Sequence, residues 1–199
     1  MFDIEVAEKV SKMPTNKQNN KTVFLCLGDT RVDKGLNVLI DAFPYLSEDI
    51  RKKCRFIVAG KECDIRYTTL LKASKRCGIE VIAEAGFVKD MRYWELIQQS
   101  DVVLLPYTRL FTGASGPLTD GVYKYKKIIG CDFGNIGDTI RNNELGNVFC
   151  VENSRSLAQE ITAATTDKWT CSERYINYRN TLNLESFVES YKRLYQEIN

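Results

Sequence analysis

The sequence predicts an α/β fold built on a doubly wound, mostly parallel sheet with helices on both faces. Three observations carry this. From Lys21 onward, short β-type apolar runs alternate with helical patterns. The runs are apolar on consecutive positions, as strands covered on both faces are. Glycine or proline closes several of them at the end where a loop must begin.

The elements follow in order. Residues 1–20 read as a linker or a domain-crossing segment, with 2–13 a candidate short helix and 14–20 polar; residues 21–199 read as one domain. Thr22–Leu27 (TVFLCL) is the first buried strand. A helix near Gly35–Leu46 follows, with Leu36, Leu39, Ile40 and Phe43 on one face. Phe56–Ala59 is the second strand, and Ile65–Cys77 an amphipathic helix with Gly78 where a left-handed cap belongs. Ile79–Ala83, a turn at Gly86-Phe87-Val88, a helix over Arg92–Gln98 and the strand Asp101–Leu105 come next. Helix Gly116–Tyr125, strand Lys127–Cys131, helix Gly137–Asn142 and strand Asn147–Val151 continue the alternation. Helices Ser154–Thr165, Ser172–Asn180 and Leu184–Ile198 close the chain.

The bulk numbers narrow the function classes. The 199 residues suffice for one domain with a sizeable core. A net charge of +2 argues against a broad nucleic-acid-binding field. The seven cysteines form no CxxC pair and their number is odd, which points to a reducing, cytoplasmic setting. There is no histidine, so histidine metal clusters and histidine-based nucleophile pairs are excluded within the chain. No apolar run approaches the roughly 20 residues of a bilayer span, and Met1 opens no secretory signal.

In such a sheet, ligands bind beyond the carboxyl ends of the strands, where strand order reverses. Three strand-end segments therefore matter. Gly28–Gly35 (GDTRVDKG) sets Arg31 and Lys34 three apart at a helix start. Two fixed cations there suit a diphosphate, one as a planar donor fork and the other as a compact charge. A solvated charged loop is the other reading. Pro106–Gly121 enters a helix through Ser115, a sound N-cap, then Gly116 and Pro117. Exposed N–H groups at that terminus face an anion, although capping alone explains Ser115 and Pro117. Asp120, one turn on, is placed to accept from ribose hydroxyls or to act on the helix dipole. Cys131–Asp138 carries Gly134 and Gly137 around an ordinary strand-to-helix turn. No G-x-G-x-x-G fingerprint and no G-x-x-x-x-G-K-[ST] phosphate loop occurs.

Taken in order, FLCLGDTRVDKGLNVLIDAF (24–43), FIVAG (56–60), GFV (86–88), SDVVLLPY (100–107), TGASGPLTDG (112–121), KKIIGCDFGNIGDTI (126–140) and ELGNVF (144–149) resemble the C-terminal, donor-binding domain of retaining GT-B glycosyltransferases. That is the group 1, family 4-like class, and its domain is Rossmann-like. Tyr191–Tyr195 also looks like the family's terminal helix. The resemblance implies that Arg31 and Lys34 contact the donor diphosphate and carry catalysis. It implies donor contacts at Gly28, Ser115, Gly116 and Pro117, with the base resting at Phe87 and Val88. Thr112 and Asp120 stand where the family's Glu, seven residues, Glu motif has its two carboxylates, and Asn135 replaces a common second glycine.

The resemblance further implies transfer of a sugar from a nucleotide-diphosphate sugar to a glycan or lipid-linked acceptor in polysaccharide biosynthesis, without a metal or other cofactor. The acceptor and several polar groups would come from an N-terminal domain outside this chain, so the isolated chain is expected to transfer little. No nucleic-acid partner is expected, and peripheral membrane association of the parent protein is compatible with the reading. Two alternatives stand beside it. One is a non-catalytic nucleotide-sugar-binding module, motivated by Thr112 and Asp120. The other is a different GT-B enzyme such as an epimerase.

Overall fold

A computed structural model describes residues 21–183 together with 186, 188, 192 and 195. The expected N-terminal segment, and the closing helix Leu184–Ile198 apart from those four positions, lie outside the described residues. Six strands form one sheet: β1 (Thr22–Leu27), β2 (Cys54–Gly60), β3 (Glu80–Ala85), β4 (Val102–Leu105), β5 (Lys127–Cys131) and β6 (Gly146–Phe149). All pairings are parallel, in the order β3-β2-β1-β4-β5-β6. Chain order therefore reverses between β1 and β4, which opens a crevice at their carboxyl ends.

Eight α-helices cover the sheet among the described residues: α1 (Leu36–Ala42), α2 (Glu48–Lys53), α3 (Tyr67–Cys77), α4 (Asp90–Gln99), α5 (Gly116–Tyr123), α6 (Gly134–Asn142), α7 (Ser154–Thr166) and α8 (Glu173–Thr181). The two-residue period of β1 and β2 divides the core. Phe24, Phe56 and Val58 join α1 and α3 on one face, whereas Leu25, Leu27, Ile57 and Ala59 pack with Trp94, Leu96 and Ile97 of α4 on the other. Phe24 and Phe56 stack with centroids 5.1 Å apart, an arrangement that adds about 1 kcal/mol to their burial.

The strands Thr22–Leu27 and Lys127–Cys131 have the expected bounds, and Gly78 is left-handed at φ 65° as the cap of α3. Other boundaries differ. α2 was not expected, although Ser47 caps it by accepting from the Ile50 N–H. The strand expected at Ile79–Ala83 spans Glu80–Ala85, shifted by its six-residue register with β2. α3 begins at Tyr67 rather than Ile65, because Ile65 N–H donates to the Thr30 carbonyl. α6 begins at Gly134 rather than Gly137, and β6 ends at Phe149. Val151 instead donates its N–H to Asp132 Oδ1 at 2.9 Å.

Candidate donor-binding site

The loop after β1 is pinned before it reaches Arg31. Gly28 N–H donates to the Ala59 carbonyl, and a Cβ on Gly60 (φ 155°) would sit 2.0 Å from the Gly28 carbonyl oxygen. Only glycine permits that crossing. Thr30, fully buried, donates its hydroxyl to the Ile65 carbonyl at 2.7 Å and accepts from Cys63 N–H at 2.9 Å. The chain then makes a single 3₁₀ turn, Val32–Lys34, closed by Gly35 in the left-handed region at φ 65°.

Gly35 brings the first loop against the second. A Cβ there would lie 1.8 Å from the Pro106 carbonyl oxygen, and Thr108 N–H donates to the Asp33 carbonyl at 3.0 Å. The loops after β1 and β4 thus meet as one unit across the crevice.

The two expected cations differ in state. Arg31 is half exposed and holds Asp33 through both Nε (3.0 Å) and Nη2 (2.7 Å). Part of its donor fork is therefore committed, and Asp33 is held below the usual carboxylate range by that pairing. Lys34 forms no ion pair among the described residues. Its ammonium sits 4.2 Å from the Tyr107 ring centroid and 3.9 Å from that of Phe111. Burial pushes its pKa down to about 8. Two aromatic faces compensate a cation only in part, by about 1–2 kcal/mol, so a desolvated ammonium is left for an anion.

Tyr107 connects that ammonium to the helix terminus. Its hydroxyl lies 3.1 Å from Ser115 Oγ, which caps α5 by accepting from Leu118 N–H at 3.3 Å. Lys34, Tyr107, Ser115 and the start of α5 are one connected set, with Gly116 and Pro117 opening the helix. The space enclosed between the loops is only about 20 Å³, bordered by Gly28, Thr30, Lys34, Pro106 and Tyr107. It holds at most a water, so this surface is a floor open to the crevice. Larger concavities, of about 650 and 770 Å³, lie at the amino-terminal end of the sheet and beside α7, away from these cations.

The remaining expected residues divide. Phe87 is 88% exposed, an isolated phenyl face beside Gly86 (φ 119°), while Val88 packs on the Leu25–Trp94 core. Thr112 is exposed in the loop before α5. Asp120 is 5% exposed and accepts from Tyr93 Oη at 2.7 Å. Burial raises its pKa to about 6, with the Tyr93 bond opposing. The Arg31–Lys34 turn and the α5 terminus are thus brought together, whereas Phe87 and Asp120 stand on the α4 side.

Sequence reasoning missed Tyr93, Tyr107 and Arg109, and placed Phe111 only at the start of a stretch, Phe111–Ser115, expected to shape donor specificity. Arg109 donates its N–H to Glu152 at 3.1 Å and lies over the Phe133 ring at 5.0 Å. The aromatic pair after β4 was visible in PYTRLF (106–111), but its spacing suggested no partner because the segment is a loop.

Among the described residues no group of three potential metal ligands converges, and no helix is long and apolar enough to cross a membrane.

The comparisons agree with this fold. The chain is similar to the C-terminal domain of a glycosyl transferase group 1 family protein from Francisella tularensis, with 17% identity over 82% of each chain and a TM-score of 0.63. It is similar to an α,α-trehalose-phosphate synthase (UDP-forming) from Burkholderia xenovorans, with 12% identity over 95% of this chain and 47% of that one, at a TM-score of 0.73. The Anabaena protein HepE, solved with UDP and glucose, gives 17% identity over 92% and 48%, at 0.64. At such identities the likeness is one of fold, and the chain spans about half the length of the last two. No curated protein sequence matches it. The profile of the family described as Glycosyl transferases group 1 matches residues 8–181, and the chain belongs to that family.

Proposed function

We propose that the chain is the donor-binding half of a retaining GT-B glycosyltransferase, binding a nucleotide-diphosphate sugar for transfer to a glycan or lipid-linked acceptor in polysaccharide biosynthesis. One observation carries the reading. A desolvated lysine with no ion pair among the described residues and the capped terminus of α5 are joined through Tyr107 at the reversal of strand order. An anion binding there would meet a full charge and aligned N–H dipoles in a partly dry setting.

In this reading the bond between the anomeric carbon and the β-phosphate oxygen breaks, and the leaving diphosphate takes the electron pair. Lys34, the free edge of the Arg31 fork and the N–H groups near Gly116 stabilise that charge as it develops. The protein's own cations serve this role, with no metal assigned. Gly28 lets the backbone approach the donor, Phe87 and Val88 support the base, Asp120 meets the ribose, and Thr112 stands near the sugar. An N-terminal domain supplies the acceptor and closes over the crevice, in a cytoplasmic setting with peripheral membrane contact through the parent protein. The 199 residues alone then bind donor and transfer little.

The test is a thermal-shift screen of UDP, GDP, ADP and their sugars on the full chain, repeated with Arg31→Ala and Lys34→Ala. A donor present at about 100 times its Kd stabilises the fold by about 2.7 kcal/mol. Lys34→Ala is expected to abolish the shift and Arg31→Ala to reduce it. A shift indifferent to both substitutions would sink the assignment, and brisk sugar transfer by the chain alone would sink the half-enzyme reading. A non-catalytic module shares the same floor, and the absence of any carboxylate between Pro106 and Ser115 favours it. Donor hydrolysis or transfer by the chain joined to its N-terminal domain separates the two.

A further inference from the structure

We infer that Tyr93 is a positioning residue for nucleoside recognition: its hydroxyl holds Asp120 so that one carboxylate oxygen is anchored and the other is presented to the ribose. The inference rests on the donor-site reading above and adds a residue that motif order did not single out.

The geometry comes from side chains that link two helices, which also touch through the Trp94 and Tyr123 rings. Tyr93 lies in the first turn of α4, directly after the Phe87-Val88 turn, and Asp120 lies in α5, after the Ser115 cap. Tyr93 Oη donates to Asp120 Oδ2 at 2.7 Å. The Tyr93 ring is fixed edge-on against Trp94, with centroids 5.7 Å apart, and packs with Val88 on the same core. Among the described residues Asp120 Oδ1 accepts no hydrogen bond. Nor is it sealed away, because the sealed side-chain polar atom without a partner among those residues is Arg51 Nε. A nearly buried carboxylate with one oxygen anchored and the other unbonded among the described residues has a fixed direction, which suits a ribose hydroxyl donor. Tyr93 also makes the base platform and the ribose acceptor move together, since it belongs to the helix that follows the platform.

The bond has an electrostatic consequence. Burial raises Asp120 toward the neutral acid and Tyr93 pulls it back. Other charged groups nearby are committed elsewhere. Arg92 of α4 pairs with Glu84 and Glu95, and the Lys124 ammonium lies over the Trp94 and Tyr123 rings. Tyr107, from the loop after β4, acts on Tyr93 rather than directly on Asp120. Removing the Tyr93 hydroxyl therefore keeps Asp120 protonated to higher pH.

The experiment is calorimetric titration of the full chain with UDP, GDP and ADP between pH 5 and 8, followed by Tyr93→Phe and Asp120→Asn with each diphosphate that binds. Tyr93→Phe is expected to weaken binding about tenfold at pH 7 and to move the acid loss of affinity to higher pH. The terminal phosphate itself takes up a proton near pH 6, so Asp120→Asn, which lacks the carboxylate, supplies the reference curve. The 2′-deoxy form of the bound diphosphate should be less sensitive to Tyr93→Phe than the ribonucleotide. Equal losses for both sugars, or an unmoved pH profile, would show that Tyr93 only staples α4 to α5. If Tyr93→Phe melts before titration, the Asp120 carboxyl carbon is titrated by NMR in wild type and in Tyr93→Met, which has no donor; unchanged titration overturns the inference. A wild type that binds none of the three diphosphates overturns the donor-site reading, and this inference falls with it.

Discussion

The two ends of the sheet treat charge in opposite ways. At the amino-terminal edge, Glu80 accepts from Lys21 at 2.9 Å and from Arg55 at 2.6 Å. Lys126 donates to the carbonyls of Gln98 and Ser100, and Asp101 accepts from Val23 N–H at 3.0 Å. Lys127, nearly buried and lowered in pKa, has Glu160 and Asp167 opposing that shift, as Lys34 has Asp33 and Asp29. At the carboxyl-terminal edge, Lys34 faces two rings and Asp120 faces one hydroxyl. The first edge meets its charges with counter-charges or carbonyls; at the second Arg31 is paired with Asp33, whereas Lys34 and Asp120 have no ion pair among the described residues. Uncompensated polar groups cost stability in the free chain and are retained where a ligand offsets that cost.

The largest expected effect tests whether the carboxyl-terminal edge is one unit. Gly35→Ala forces a Cβ to within 1.8 Å of the Pro106 carbonyl oxygen at a left-handed φ. Equilibrium denaturation should show a loss of about 3 kcal/mol, with donor binding lost in parallel; unchanged stability would mean that the two loops are not locked together.

Asp120→Asn should stabilise the fold. Its folded pKa, about 6, lies above the ordinary 3.8. The stability linked to its proton is thus complete below about pH 4 and lost as pH rises through 6. Denaturation should give the variant an advantage of about 2 kcal/mol at pH 7 that vanishes near pH 4. A constant difference across that range would count against buried ionisation.

Lys34 has the reverse sign. Its folded pKa, about 8, lies below the ordinary 10.5, so its cost is full below pH 8 and relieved as pH rises above it. Lys34→Met should gain about 1 kcal/mol at pH 7, discounted for the solvent reaching this half-buried group, while losing donor binding. A loss of stability would show that the rings, not an absent anion, satisfy the ammonium.

The smallest effect belongs to the other edge. Glu80→Gln should cost less than about 1 kcal/mol, since its pairs are partly exposed, and leave nucleotide affinity unchanged. An altered affinity would erase the distinction between the edges.

Much of this was legible beforehand for local reasons. Strand positions follow from apolar runs, the Gly78 and Ser115 caps from backbone chemistry within a few residues, and the cations of GDTRVDKG from their place after a strand. The Arg31–Asp33 pair was also local, two residues apart, yet the clamp reading treated Arg31 as uncommitted. α2 was written in the Ser47 cap and the acidic-to-basic order of EDIRKK, and was passed over because it fills a short gap between stronger signals.

By itself the sequence determined the alternation of strands and helices, their caps and the order of strand-end motifs, because these depend on neighbours along the chain. Tertiary structure alone decided which strands lie side by side, and hence that the loops after β1 and β4 face one another. It decided that Lys34 would be boxed by Tyr107 and Phe111, and Asp120 held by Tyr93 across 27 residues. Those states depend on desolvation and on partners brought close only by packing, and no spacing rule along the chain encodes either.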